Sequence, residues 1–212
     1  MMHTQAWAWA ALFLLGAYHG INPAMGWLFA VALGLQKQND RAVWQALLPI
    51  AAGHVLAIGA VLLVAAIAGA VLPLHVVRIG VVVLLVGFGL YRIMSRKHPR
   101  FGGMQVGFRD LTIWSFLMAC AHGAGLMLLP VLLGMSGAGS QHDTHAIAFP
   151  GVGTQMLAVA VHTLGYLLFT GAIAWVVYKK LGLSVLRKAW LNLDFVWATA
   201  LIATAGLMLL LP

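Results

Sequence analysis

Phe13-Leu-Leu-Gly-Ala-Tyr-His19-Gly20 and Phe116-Leu-Met-Ala-Cys-Ala-His122-Gly123 share the pattern F-L-x-x-x-x-H-G, and each stands in the middle of a long apolar run. Those runs decide the fold class. Of all residues 63% are hydrophobic and 8% charged, the mean hydropathy is +0.98, and stretches of about 20 apolar residues recur along the chain. The pattern predicts an all-α integral membrane protein with six transmembrane helices, near 6–34, 46–71, 74–94, 111–135, 155–178 and 189–211. Too little chain lies between them for a soluble domain, so 1–212 reads as a single membrane domain. The first run has no Lys or Arg before Lys37 and exceeds the core of a secretion signal, so it reads as a span.

The net charge of +8 raises the question of nucleic acid, and the placement of the charges answers it. Lys37 and Arg41 follow span one; Arg92, Arg96, Lys97, Arg100 and Arg109 follow or flank span three and its loop; Lys179, Lys180, Arg187 and Lys188 follow span five. Eleven of the twelve basic residues therefore fall on one side, which the positive-inside rule makes cytoplasmic in a bacterial inner membrane. Both termini and the loops near 72–77 and 136–154 are then expected outside. The bilayer itself is the expected partner of this charge, and no nucleic acid is.

Three spans in each half give the halves opposite orientations. The chain thus reads as two inverted repeats, 1–94 and 111–212, joined by a cytoplasmic loop over 95–110. The second helix of each half carries a histidine as well, His54 in Ala-Gly-His-Val-Leu and His162 in Ala-Val-His-Thr-Leu. Gly20, Asn22 and Pro23 after His19, and Gly123, Gly125 and Pro130 after His122, predict a break in the first helix of each half. Such breaks are expected to free mid-plane carbonyls for an ion or water.

Histidine inside a membrane is costly and asks for a use. Imidazole ligates transition metals, carries protons and ligates haem, so His19, His54, His122 and His162 are the candidate metal ligands. Asn22, Met25, Cys120 and Met127 are accessory candidates; Met127, like Met118, also suits a plain core, and Cys120 stands two residues from His122, on another helix face. The external loop offers His142, Asp143 and His145 for cation capture, and Asp194 in span six is a candidate for ion or proton coupling. Arg78, early in span three, belongs to the opposite side from Asp194 under the expected symmetry.

Two enzymatic classes do not fit. Gly134-Met-Ser136-Gly137 matches the G-x-S-G of rhomboid proteases, but that serine begins a membrane helix whereas Ser136 ends one. Dithiol electron transfer within the chain needs two cysteines, and the chain has one.

Gly16-Ala-Tyr-His19-Gly20-Ile-Asn22-Pro23-Ala-Met25-Gly26 resembles the histidine-bearing first-helix motifs of a group of small membrane proteins. The group includes nickel/cobalt permeases, hydrogenase- and urease-accessory membrane proteins, and the thiol carriers of cytochrome c biogenesis. The resemblance implies related three-helix halves and ligand roles for His19, Asn22 and Met25. The chain departs from it where Asn22 and Pro23 replace the carboxylate and partner histidine of the nickel permeases, and where the accessory-protein and thiol-carrier cysteines are missing. The expectation is a non-enzymatic permease for a transition-metal ion (nickel, cobalt, copper, zinc or iron), acting alone, as a homo-oligomer or with an accessory partner. In it His19 and His122 meet at the mid-plane, and His54 and His162 line the two approaches. The alternatives are a redox protein holding haem b between two histidines and a non-transporting membrane subunit.

Overall fold

The computed structural model describes residues 2–71, 74–94, 107–136, 150–181, 199, 201–206 and 209, and among these no strand occurs. Helix α1 (Met2–Ile21) ends two residues after His19, and a 3-10 turn (Pro23–Met25) leads into α2 (Trp27–Lys37). Helices α3 (Asp40–Val71), α4 (Leu74–Met94), α5 (Phe108–Ala121) and α6 (Ala124–Ser136) follow. Helix α7 (Val152–Val176) continues as a π-helical turn over Val177–Leu181. Asp40–Ala70 and Val152–Lys180 are long and apolar enough to cross a membrane, and α5 with α6, bent by 58°, makes a third if the pair is one span. The expected segments 46–71, 74–94 and 155–178 each fall on one helix, whereas 6–34 and 111–135 are each divided in two. Most of 189–211 lies outside the described residues; 199, 201–206 and 209 are helical.

The two breaks have local causes. Pro23 has no N–H to continue the α1 ladder, and the Asn22 side chain caps the new turn by accepting from the Ala24 N–H at 3.0 Å. Gly26 has φ +143°, and Gly123 in the second break has φ +68°, a region that side chains other than glycine enter at a cost. The Trp27 indole N–H then staples the first break by donating to the Ile21 carbonyl at 2.9 Å. Pro130, further along than the second break, lies inside α6.

Apolar side chains cover the outside as well as the core, and several polar ones are drawn inside. Leu48, Leu56, Leu63, Val64 and Ile67 on α3 and Leu157, Leu164 and Leu168 on α7 are exposed, while His19, His54, Ser115, His122, His162 and Thr170 are buried. An apolar outside with its polar groups turned inward is the distribution that a hydrocarbon solvent favours.

Helix α1 packs most extensively along α7, and α3 along α5. Each seam needs glycine: a Cβ on Gly16 would overlap the His162 carbonyl oxygen, and one on Gly53 would overlap the Thr112 carbonyl oxygen. Gly16 and Gly20 form a small-xxx-small pair, the spacing that lets two helix backbones approach closely. Leu12 and Gly16 meet His162, and Gly20 meets Tyr166 and Thr170, so α1 and α7 run parallel. At the far end of α7, Lys179 forms an ion pair with Asp40 at the start of α3.

Candidate functional site

Histidine at the end of a half-helix has a defined posture here. The His19 Nδ1–H donates to the Leu15 carbonyl at 2.7 Å, one turn back on its own helix, and the His122 Nδ1–H donates to the Met118 carbonyl at the same 2.7 Å. A carbonyl oxygen only accepts, so each Nδ1 carries the proton and each neutral ring keeps its lone pair on Nε2. The F-L-x-x-x-x-H-G repeat is therefore also a repeat of side-chain geometry. On α7, the His162 Nδ1–H donates across the seam to the Leu12 carbonyl of α1 at 3.2 Å, which leaves its lone pair on Nε2 too.

Three of the four histidines converge. Ring centroids of His19 and His162 are 5.1 Å apart, those of His54 and His162 5.4 Å, and those of His19 and His54 5.7 Å. All three side chains are fully buried, and they arrive from α1, α3 and α7. The His54 and His162 rings are parallel within 7°, and His19 stands edge-on to both. Neither ring nitrogen of His54, nor Nε2 of His162, has a hydrogen-bond partner among the described residues. An unsatisfied buried polar group costs about 1–3 kcal/mol, so the cluster is an energetic liability that the packing around it maintains.

The fourth histidine departs from expectation. His19 and His122 share one sequence motif, yet the rings found against His19 among the described residues include Tyr18, His54 and His162. His122 is buried at the α5–α6 break and is not a corner of this triangle. The reason lies in the seams: α1 pairs with α7 and α3 with α5, so the helix bearing His19 meets the helix bearing His162. His54 and His162 accordingly stand together beside His19 and do not line separate approaches.

The accessory candidates separate in the same way. The Asn22 side-chain oxygen is taken by the Ala24 N–H. Met25 and Met127 are buried in the apolar core, as is Met118, and Cys120 is exposed. Asp194, His142, Asp143 and His145 lie outside the described residues.

The expected free carbonyls at the first break are also met by protein. The Gly20 carbonyl lies 3.5 Å from the Thr170 hydroxyl, the Ile21 carbonyl takes the Trp27 indole, and the Met25 carbonyl takes the Tyr166 hydroxyl. The His19, Asn22 and Pro23 carbonyls accept from the backbone N–H groups of Asn22, Met25 and Gly26. A side chain that sequence reasoning missed thus becomes prominent. Tyr166 is fully buried, and its ring stacks on His54 at 4.0 Å and 16°. Its signal was present: His162, Tyr166 and Thr170 follow at four-residue steps and form one polar stripe on a largely apolar helix.

Metal–nitrogen bonds of about 2 Å with tetrahedral angles set the centroids of imidazoles sharing one ion about 5 Å apart. The triangle has that scale, although no three His, Cys, Asp or Glu among the described residues already form a metal-holding group. Axial imidazoles on opposite sides of one iron have centroids separated by about 6 Å or more, with a macrocycle between them. No protein-family model, no curated protein and no solved structure matches this chain.

Proposed function

We propose that this chain is a membrane permease carrying a small cation, a transition-metal ion, through the cluster of His19, His54 and His162. One observation carries the reading: three imidazoles from three helices meet at a fully buried point where both His54 nitrogens and His162 Nε2 lack hydrogen-bond partners among the described residues. A metal ion is a ligand that such lone pairs would satisfy. Imidazole suits nickel, cobalt, copper, zinc and iron, whereas sodium, magnesium and calcium want oxygen. Here the break's carbonyls are already engaged, so nitrogen is what the cluster offers. Ring rotation within the triangle, rather than a backbone shift, would turn the donors onto one ion.

The wider plan belongs to the same proposal. Six spans in two inverted three-helix repeats account for two broken helices with the same histidine posture, and for the matched α1–α7 and α3–α5 seams. Parallel α1 and α7 agree with spans one and five crossing in the same direction. The Asp40–Lys179 ion pair lies at the end where Lys37 and Arg41 also stand, in keeping with a cytoplasmic basic face and external termini. Rocking of one half against the other would expose the cluster to alternate sides.

The test is uptake of cobalt or nickel by proteoliposomes containing the purified chain. Uptake above protein-free vesicles is expected, and so is its decline in acid, because protons compete with metal for the same lone pairs. Uptake equal to that of empty vesicles would reject the permease. A second reading, a non-transporting subunit held together by its histidines, is favoured by the His162–Leu12 bond. It predicts that His162→Ala lowers thermal stability and leaves metal accumulation by cells unchanged.

A further inference from the structure

Tyr166 joins parts of the protein that alternating access must separate. Its ring lies flat against His54 of α3, and its hydroxyl donates to the Met25 carbonyl in the turn that interrupts the first span. The Ser115 and Thr170 side chains approach the same hydroxyl. Ser115 itself donates to the Ile50 carbonyl at 2.6 Å, and Ile50 packs on Gly26, whose φ of +143° turns the chain into α2. One phenol therefore binds α3, α7 and the break between α1 and α2 at a single point.

Its position along α7 gives it a direction. Tyr166 follows His162 by four residues, about 6 Å of rise, toward the end where Lys179 pairs with Asp40. A cation leaving the three histidines toward that end meets the tyrosine ring and the tethered turn first. Tyr166 presents its edge hydroxyl to the break and its face to His54, so it cannot clear the path while both contacts hold.

We infer that Tyr166 is the gate of the histidine cluster on the side of Asp40 and Lys179, its hydroxyl latching the broken first span to α7. The inference rests on the reading of the cluster as a passage. Opening requires the Tyr166–Met25 hydrogen bond to break and the turn to swing from α7. The latch is a positioning device: it governs access and donates nothing to the ion.

The experiment places a reporter thiol at the turn, Met25→Cys in a Cys120→Ser background, and measures its rate of labelling by a water-soluble maleimide. A second reporter, Leu128→Cys in the buried core of α6, serves as the distant comparison. Adding Tyr166→Phe keeps the ring and deletes the latch. Labelling at position 25 is expected to accelerate about fivefold, the population shift from losing one buried hydrogen bond, with labelling at position 128 unchanged. An unchanged rate at position 25, or equal acceleration at both positions, would overturn the latch. If Tyr166→Phe does not fold, Tyr166→Leu, which deletes the same hydroxyl, is read by the same criteria. The labelling needs no transport, so acceleration at position 25 without cobalt uptake by the unmodified chain would keep the latch and reject the permease.

Discussion

A His54→Phe variant should fold as well as the unmodified chain, or better, and lose its hold on a transition-metal ion. The two effects have one cause. His54 stacks on Tyr166 and on His162, and neither of its nitrogens has a hydrogen-bond partner among the described residues. Phenylalanine preserves the flat ring and removes two buried polar atoms, a change of shape-matched groups that is nearly neutral or stabilising. It also removes a corner of the triangle. Displacing a group that merely orients a ligand costs about 10–100-fold in metal affinity, so removing a ligand should cost at least about 100-fold. Affinity by calorimetry and the thermal midpoint in detergent check the two arms. His162→Phe should differ, because the His162 bond to the Leu12 carbonyl holds α7 to α1 and its loss should destabilise by about 1 kcal/mol.

The second large effect falls on the α1–α7 seam. Gly16→Ala places a methyl group onto the backbone carbonyl oxygen of His162, which cannot rotate away, so the helices must part. Overpacking of this kind costs about 1–3 kcal/mol, and here it also loosens the His162–Leu12 bond and draws His162 from His19. Gly59→Ala on α3 is the matched comparison, since no described atom lies within 4 Å of its added methyl. There the substitution should be neutral or stabilise by up to about 1 kcal/mol through the lower backbone entropy cost of alanine. Thermal unfolding in detergent should show a fall for Gly16→Ala and none for Gly59→Ala. Equal midpoints would mean that the close approach at Gly16 is not what holds the seam.

The legibility of this site in the sequence follows from the range of each interaction. The breaks after His19 and His122 were readable because proline, asparagine and glycine act on their own turn. The posture of both histidines is equally local, a bond to the carbonyl four residues back. Which histidines meet is a tertiary matter. Similar motifs in two halves mark equivalent positions, and equivalent positions need not touch; His19 meets His54 and His162 because glycine seams bring α1 against α7. Gly16 and Gly20 announced that seam by their spacing without naming its partner. The freed carbonyls failed for a related reason: Trp27, Tyr166 and Thr170 reach them from six to 150 residues away.

In the proposed permease His19, His54 and His162 hold one transition-metal ion. X-ray absorption at the metal edge, on purified protein loaded with cobalt or nickel and freed of excess, tests it most directly. The account predicts retained metal with nitrogen neighbours at about 2 Å and the outer-shell scattering of imidazole rings, lost together in His54→Phe. Metal that is not retained, that is ringed by oxygen or sulfur, or that stays unchanged in His54→Phe would contradict it.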